Sequence, residues 1–131
     1  MELTFQYSPL LTPEQVAELR IAVGWDGRVE KYRKKLGKSY LCVCCFDGKK
    51  LVGYADVVSD GIDDAYIRDL IVHPAYQRSG IGSRLLAMIA ERIKSDGIKM
   101  VHAFFDPSLK TFYTKAHFTI LLGGVIDNER S

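Results

Sequence analysis

Apolar residues recur at helical spacing in some stretches of this chain and gather into strand-length runs in others, and the alternation outlines its elements. Leu3 to Tyr7 reads as a short strand. Thr12-Pro13-Glu14-Gln15 then carries an N-cap residue, a proline at the first helical position and a glutamine three residues after the cap. Val16, Leu19 and Val23 fall on one face of the helix so begun, which is expected to end near Gly24. Val29, Tyr32 and Leu36 mark a second short helix with a basic outer side, Lys31, Arg33, Lys34 and Lys35, that reads as a solvated face. Tyr40 to Phe46 and Leu51 to Ser59 are strands joined through Asp47-Gly48-Lys49-Lys50, a hairpin turn. Ala65 to Val72 is the next strand. Ile81 to Ser95 is a longer helix, with Ile81, Leu85, Met88, Ile89, Arg92 and Ile93 at helical spacing and Gly97 as terminator. Met100 to Phe105, Ser108 to Lys115 and Phe118 to Leu122 complete the prediction as strand, short helix and sixth strand.

A chain of 131 residues and 14.8 kDa, 47% apolar, fits a single domain, residues 1–131. Its 18 basic and 16 acidic residues leave a net charge of +2. No uniform field therefore points to nucleic acid or an anionic membrane, and neither is expected as a partner. The N-terminus has no basic, apolar stretch of signal type, and no apolar run approaches a membrane span, so a cytoplasmic protein is expected. Cys42, Cys44 and Cys45 crowd into one strand, Cys42 and Cys44 on one face and Cys45 on the other. With no second Cys or His pair at ligand spacing, they read as small core residues, and no metal site is expected.

The densest chemical signal is Gln77-Arg78-Ser79-Gly80-Ile81-Gly82, between the apolar run ending at Val72 and the helix starting at Ile81. Glycines let backbone N–H groups come close to a ligand, and a helix N-terminus adds partial positive charge, so the junction reads as a phosphate cradle. A P-loop needs Lys and Ser/Thr directly after its last glycine, whereas Gly82 is followed by Ser83 and Arg84. A dinucleotide fingerprint needs a third small residue at the place of Leu85 and an acid closing the following strand. Neither pattern fits.

Q-x-x-G-x-G after a strand ending in Val72-His73-Pro74 resembles the pyrophosphate-binding motif of the GNAT superfamily of acyl-CoA-dependent N-acyltransferases. Ile67 to Gln77 looks like the fourth strand of that family and its exit, and Phe112-Tyr113-Thr114-Lys115-Ala116-His117-Phe118 resembles its late F-Y-x-K-x-G-F signature. The resemblance covers nearly the whole chain. It implies an α/β fold with a mixed sheet, splayed central strands and helices on both faces, and acetyl-CoA as co-substrate. It also implies that the backbone N–H groups of Arg78, Ser79, Gly80, Ile81, Gly82 and Ser83 hold the pyrophosphate, with Gln77 in the motif. Leu70, Ile71 and Val72 would pair with the pantetheine arm, and the N–H of Leu70 would polarise the thioester carbonyl. Tyr113 stands at the place of the general acid that protonates the departing thiolate.

Two aspartates interrupt or end apolar strands. Asp106 resembles the acid closing the fifth strand in subfamilies that include the plant serotonin acetyltransferases, as do Val23-Gly24-Trp25 and Val58-Ser59-Asp60; it is a candidate amine ligand or water-relayed base, or else a turn residue before Pro107. Asp69 reads as a structural hydrogen-bonding residue, and Trp25, Tyr32 and Tyr66 as candidate lining of an acceptor pocket. His117 replaces the usual glycine of the late signature, where a left-handed turn would disfavour it. The expected activity is acetyl transfer from acetyl-CoA to a small primary amine by direct attack. Acetylation of a protein lysine or N-terminus and a catalytically silent acyl-CoA-binding module are the alternatives. The short stretch after Leu122 is barely enough for a seventh strand and leaves room for a partner chain, as in a homodimer, to complete the sheet.

Overall fold

A computed structural model of the chain describes residues 2–129. Its strands are β1 (Leu3–Tyr7), β2 (Leu41–Asp47), β3 (Lys50–Ser59), β4 (Asp64–Val72) and β5 (Met100–Ala103), in one sheet of that spatial order. Neighbours from β1 to β4 are antiparallel, and β5 joins β4 in parallel. Parallel pairing requires a crossover, which α3 (Ile81–Ser95) supplies. The remaining helices are α1 (Pro13–Ala22), α2 (Val29–Lys35) and α4 (Lys110–Lys115).

Each face of the sheet buries a separate cluster. Val16 and Leu19 of α1 and Tyr32 of α2 pack with Cys44, Tyr54 and Ile71 on one side. Leu85, Ile89 and Ile93 of α3 and Tyr113 of α4 pack with Val43, Cys45, Val52 and Ile67 on the other. The helix starts and stops follow local chemistry. Thr12 and Gln15 form a reciprocal capping box at the start of α1. Gly97 closes α3 at φ +79°, with the Ile98 N–H donating to the Ile93 carbonyl. Gly53 in β3 sets how closely α3 approaches: a Cβ there would lie 2.8 Å from Ile81 Cγ2 and 3.2 Å from Leu85 Cδ1.

β4 departs from regularity halfway along. Ile71 pairs with Tyr54 and Arg68 with Asp56, so Asp69 and Leu70 together stand opposite Ala55, a β-bulge with Asp69 at φ +57°. The extra residue switches the faces. Before it, Ala65 and Ile67 look toward α3; after it, Leu70 and Val72 do, while Ile71 turns to the α1–α2 side. On its other flank β4 pairs with β5 only over Asp64–Ile67, so residues 68–72 have no strand beside them there among the described residues. The two strands part as the GNAT resemblance implies.

The expected sixth strand, Phe118 to Leu122, does not form, nor does any strand after it among the described residues. A strand exists only in a ladder, and β5 stops at Ala103. Beyond it Gly123 lies flat on the Phe104 ring, where a Cβ would be only 2.3 Å from Cε1, and Leu121, Leu122, Val125 and Ile126 are left exposed. The predicted β5 is shortened for the same reason: Phe104 and Phe105 leave the ladder for ring contacts with Tyr66 and Tyr113.

Candidate active site

The chain leaves β4 through a 3₁₀ turn, Pro74–Tyr76, whose first N–H group is taken up by His73: Nδ1 accepts from the Ala75 N–H at 3.1 Å. Gln77 then reaches back, its Nε2 donating to the Val72 carbonyl at 3.0 Å, and the Ser79 hydroxyl donates to the Tyr76 carbonyl. Arg78 and Gly80 both take left-handed φ, +66° and +83°.

At the start of α3 the first intrahelical bond runs from the Arg84 N–H to the Gly80 carbonyl at 3.0 Å, and no side chain caps Gly80. The N–H groups of Ile81, Gly82 and Ser83 therefore lack helical partners. The first turn holds no acidic residue, so the end stays electropositive. Ile81 buries its side chain and offers only backbone, while Gln77, Arg78, Ser79, Gly80 and Ser83 are exposed. Gly82 also gives α4 a close seat: a Cβ would sit 3.2 Å from the Phe112 ring and 3.7 Å from Val72. α4 thus docks directly on the turn.

Tyr113 is buried, stacked on Phe105 at 3.9 Å between ring centroids and flanked edge-on by Phe112 and Phe118. Its hydroxyl makes no hydrogen bond with a described residue, yet no buried polar side-chain atom among them is left without a partner, so the hydroxyl reaches solvent. Burial raises its pKa. The phenol remains protonated at neutral pH.

His117 adopts the left-handed conformation of the glycine it replaces, at φ +72°. Its N–H donates to the Thr114 carbonyl and the Phe118 N–H to the Tyr113 carbonyl, a complete Schellman close. The Phe118 ring is thereby brought against Tyr113. The helix end keeps its geometry despite the bulkier residue.

The structure brings Val72, Gly82, Phe112 and Tyr113 together, and Leu70 packs on the same α3-side core. Ile71 points away from it, into the other core. Asp106 follows Phe105, the ring stacked on Tyr113, and is exposed; its Oδ1 accepts from the Ser108 N–H at 2.9 Å, which lowers its pKa. Trp25 and Tyr66 are exposed, whereas Tyr32 is buried in the α1–α2 core and does not line an open pocket.

Two buried polar residues escaped the sequence reading. Arg20 lies on the buried stripe of α1, one turn after Val16, where a cation demands partners; its Nε donates to the Asp26 carbonyl at 2.7 Å and Nη1 pairs with Asp69 Oδ1 at 3.3 Å. Asp56, within β3, accepts from Ser39 and Arg68 at 2.8 and 2.9 Å. The position of each on an apolar face was the available signal. Clefts of about 480 Å³ beside Gly27 and about 300 Å³ beside Cys42 are lined by none of residues 68–72. Among the described residues no group of three or more His, Cys, Asp or Glu gathers as a metal site would.

A mixed sheet whose last two strands part beside a glycine turn at a helix start defines a class of α/β fold, and comparison gives it a family. The acetyltransferase (GNAT) domain matches residues 37–120, and the chain belongs to that family. An N-acetyltransferase described as ycf52-like from Prochlorococcus marinus is 32% identical over 124 residues, 89% of this chain and 69% of that protein. The ycf52 N-acetyltransferase of Gracilaria tenuistipitata is 31% identical, and the chain spans only 56% of its length. Among solved structures, the GNAT acetyltransferase SP0256 of Streptococcus pneumoniae superposes with TM-score 0.81 at 30% identity, covering 99% of this chain and 100% of that one. Protein SA2161 of Staphylococcus aureus gives 0.86 at 25% identity, covering 97% and 99%. The acyl donor of the family is acetyl-CoA. No helix among the described residues is long and apolar enough to cross a membrane.

Proposed function

We propose that this chain transfers an acetyl group from acetyl-CoA to the primary amine of a small aryl- or alkylamine by direct attack, with no covalent enzyme intermediate. The observation that carries the reading is the open edge of β4 over residues 68–72, which runs into a helix start whose N–H groups are uncapped and unopposed by acid. An exposed edge pairs readily with the amides of a pantetheine arm, and the helix start attracts a pyrophosphate. Leu70, Ile71 and Val72 serve the first role, and the Arg78–Ser83 backbone, steadied by Gln77, the second.

In the transfer the amine nitrogen attacks the thioester carbonyl, a C–N bond forms, and the C–S bond breaks. The Leu70 N–H stabilises the developing oxyanion. Tyr113 donates its proton to the leaving sulfur. Asp106 holds the incoming ammonium and relays one proton from it to water before attack; the second proton leaves nitrogen as the C–S bond breaks and, through water, restores the Tyr113 phenol. The acidic strand end and the exposed Trp25 and Tyr66 favour a cationic, amine-bearing acceptor, as in the plant serotonin acetyltransferase subgroup.

A coenzyme A release assay across amines, amino acids and peptides, with mass detection of product, tests the reading. Turnover of small amines is expected. Turnover of peptides alone moves the acceptor to protein, and tight coenzyme binding without turnover of any acceptor makes the chain a silent binding module.

A further inference from the structure

We propose that Asp69 is a positioning residue of the acyl-transfer site: gripped by Arg20, Tyr32 and Lys35, it sets the left-handed step of β4 that aims the Leu70 N–H at the thioester. This rests on the acetyltransferase reading above and adds to it the device that fixes the strand.

The step is costly and has to be held. The left-handed region is sterically disfavoured for an L-residue, least so for Asp and Asn. Without the extra residue, Leu70 and Val72 would face the α1–α2 core and Ile71 the acyl side. The presentation of Leu70 therefore depends on the conformation of residue 69, one position before it.

What holds that conformation comes from the opposite side of the sheet. Asp69 Oδ1 pairs with Arg20 Nη1 at 3.3 Å, and Oδ2 accepts from the Tyr32 hydroxyl and lies 3.7 Å from Lys35 Nζ. Burial, reinforced by this hydrogen bond, pushes the Tyr32 phenol well above its ordinary pKa, so it remains a donor. Arg20 is fixed in turn by the Asp26 carbonyl and by the Trp25 ring, 5.1 Å from its guanidinium carbon. The loop between α1 and α2, which carries Trp25, is thus tied to the bulge through a single carboxylate. The neighbouring cation Arg68 has its own partner in buried Asp56.

Both oxygens of Asp69 are engaged by cations or a hydroxyl from α1 and α2, on the face of the sheet opposite the Leu70 side chain. Its influence passes through the backbone.

Asp69→Gly removes the anchor and frees the backbone. Asp69→Asn keeps a short polar side chain that tolerates the turn and still accepts from Tyr32. Tyr32→Phe removes one grip from outside the strand. With acetyl-CoA and one reactive amine, well below the melting temperature of each variant, Asp69→Gly is expected to lower kcat at least about tenfold, a fraction of the loss typical for a deleted oxyanion donor. The calorimetric Kd for acetyl-CoA should stay within about threefold, and Asp69→Asn should recover most of kcat. A purely structural residue would lower the melting temperature and leave kcat of the folded protein alone. A kcat for Asp69→Gly within about twofold of the parent, or Asp69→Asn as damaged as Asp69→Gly, overturns the proposal and leaves the acetyltransferase reading standing. A parent protein that neither binds nor turns over acetyl-CoA overturns both. Should Asp69→Gly not fold, Tyr32→Phe decides: lower kcat at constant Kd supports the positioning role, and unchanged kcat removes it.

Discussion

Three side chains carry separable claims. Tyr113→Phe is expected to lower kcat more than it raises KM for acetyl-CoA, because the hydroxyl matters once charge develops on sulfur. The loss should lie near or below about 10²-fold, the lower end for general acid catalysis, since a thiolate leaves readily. Unchanged kcat where chemistry limits turnover would remove Tyr113 from the mechanism. Asp106→Asn should reduce kcat/KM for the amine at least about tenfold and leave coenzyme affinity nearly unaltered. The Ser108 N–H depresses the pKa of Asp106, so its carboxylate is already ionised through the neutral range. The rise of rate with pH should then follow deprotonation of the amine in both forms, with the Asn form lower in height; superimposable profiles would make Asp106 a turn residue. His117 tests strain apart from chemistry. Replacing it with Gly relieves a left-handed side chain and should raise stability by about 1 kcal/mol in thermal unfolding, with kcat unchanged. A lower melting temperature would mean that the imidazole makes contacts worth more than the strain.

Among the elements, α3 and its seat on β3 control where the glycine turn stands. Gly53→Ala places a methyl against Ile81, the first residue of α3, and overpacking of this kind typically costs about 1–3 kcal/mol. Because Ile81 precedes Gly82 in the cradle, acetyl-CoA affinity should fall together with stability, in contrast to core changes farther along α3, such as Ile93→Val, which should lower stability alone. Calorimetric titration of the two variants separates these outcomes; equal affinities would detach the seat of α3 from coenzyme binding. Elements with local signatures were legible in the chain. The capping box of α1, the span Ile81–Ser95 and the hairpin at Gly48 all follow from residues close in sequence. The strand expected at Phe118 to Leu122 did not, because its apolar residues supply propensity while the ladder depends on where β5 stops.

Over the whole molecule, the motifs that carry the resemblance marked the turn and the aromatic helix, and the structure packs the two against each other through Gly82 and Phe112. What stayed illegible was the pairing across the sheet. That Asp69 takes a left-handed turn follows from two residues of β4 facing one of β3, and that Arg20 of α1 reaches it follows from the depth of α1 on the sheet. Neither relation is written in neighbouring residues. The central claim is that the glycine turn at the start of α3 holds the pyrophosphate of acetyl-CoA. Thermal unfolding of the parent, Gly82→Ala and Gly82→Glu with and without acetyl-CoA tests it most directly, Gly82→Ala controlling for the Phe112 contact. The parent should gain roughly 2.7 kcal/mol at about 100 times its Kd. Gly82→Ala should keep most of that gain, and Gly82→Glu, with a carboxylate where phosphate belongs, should lose it. A folded Gly82→Glu protein that shows the full shift contradicts the placement.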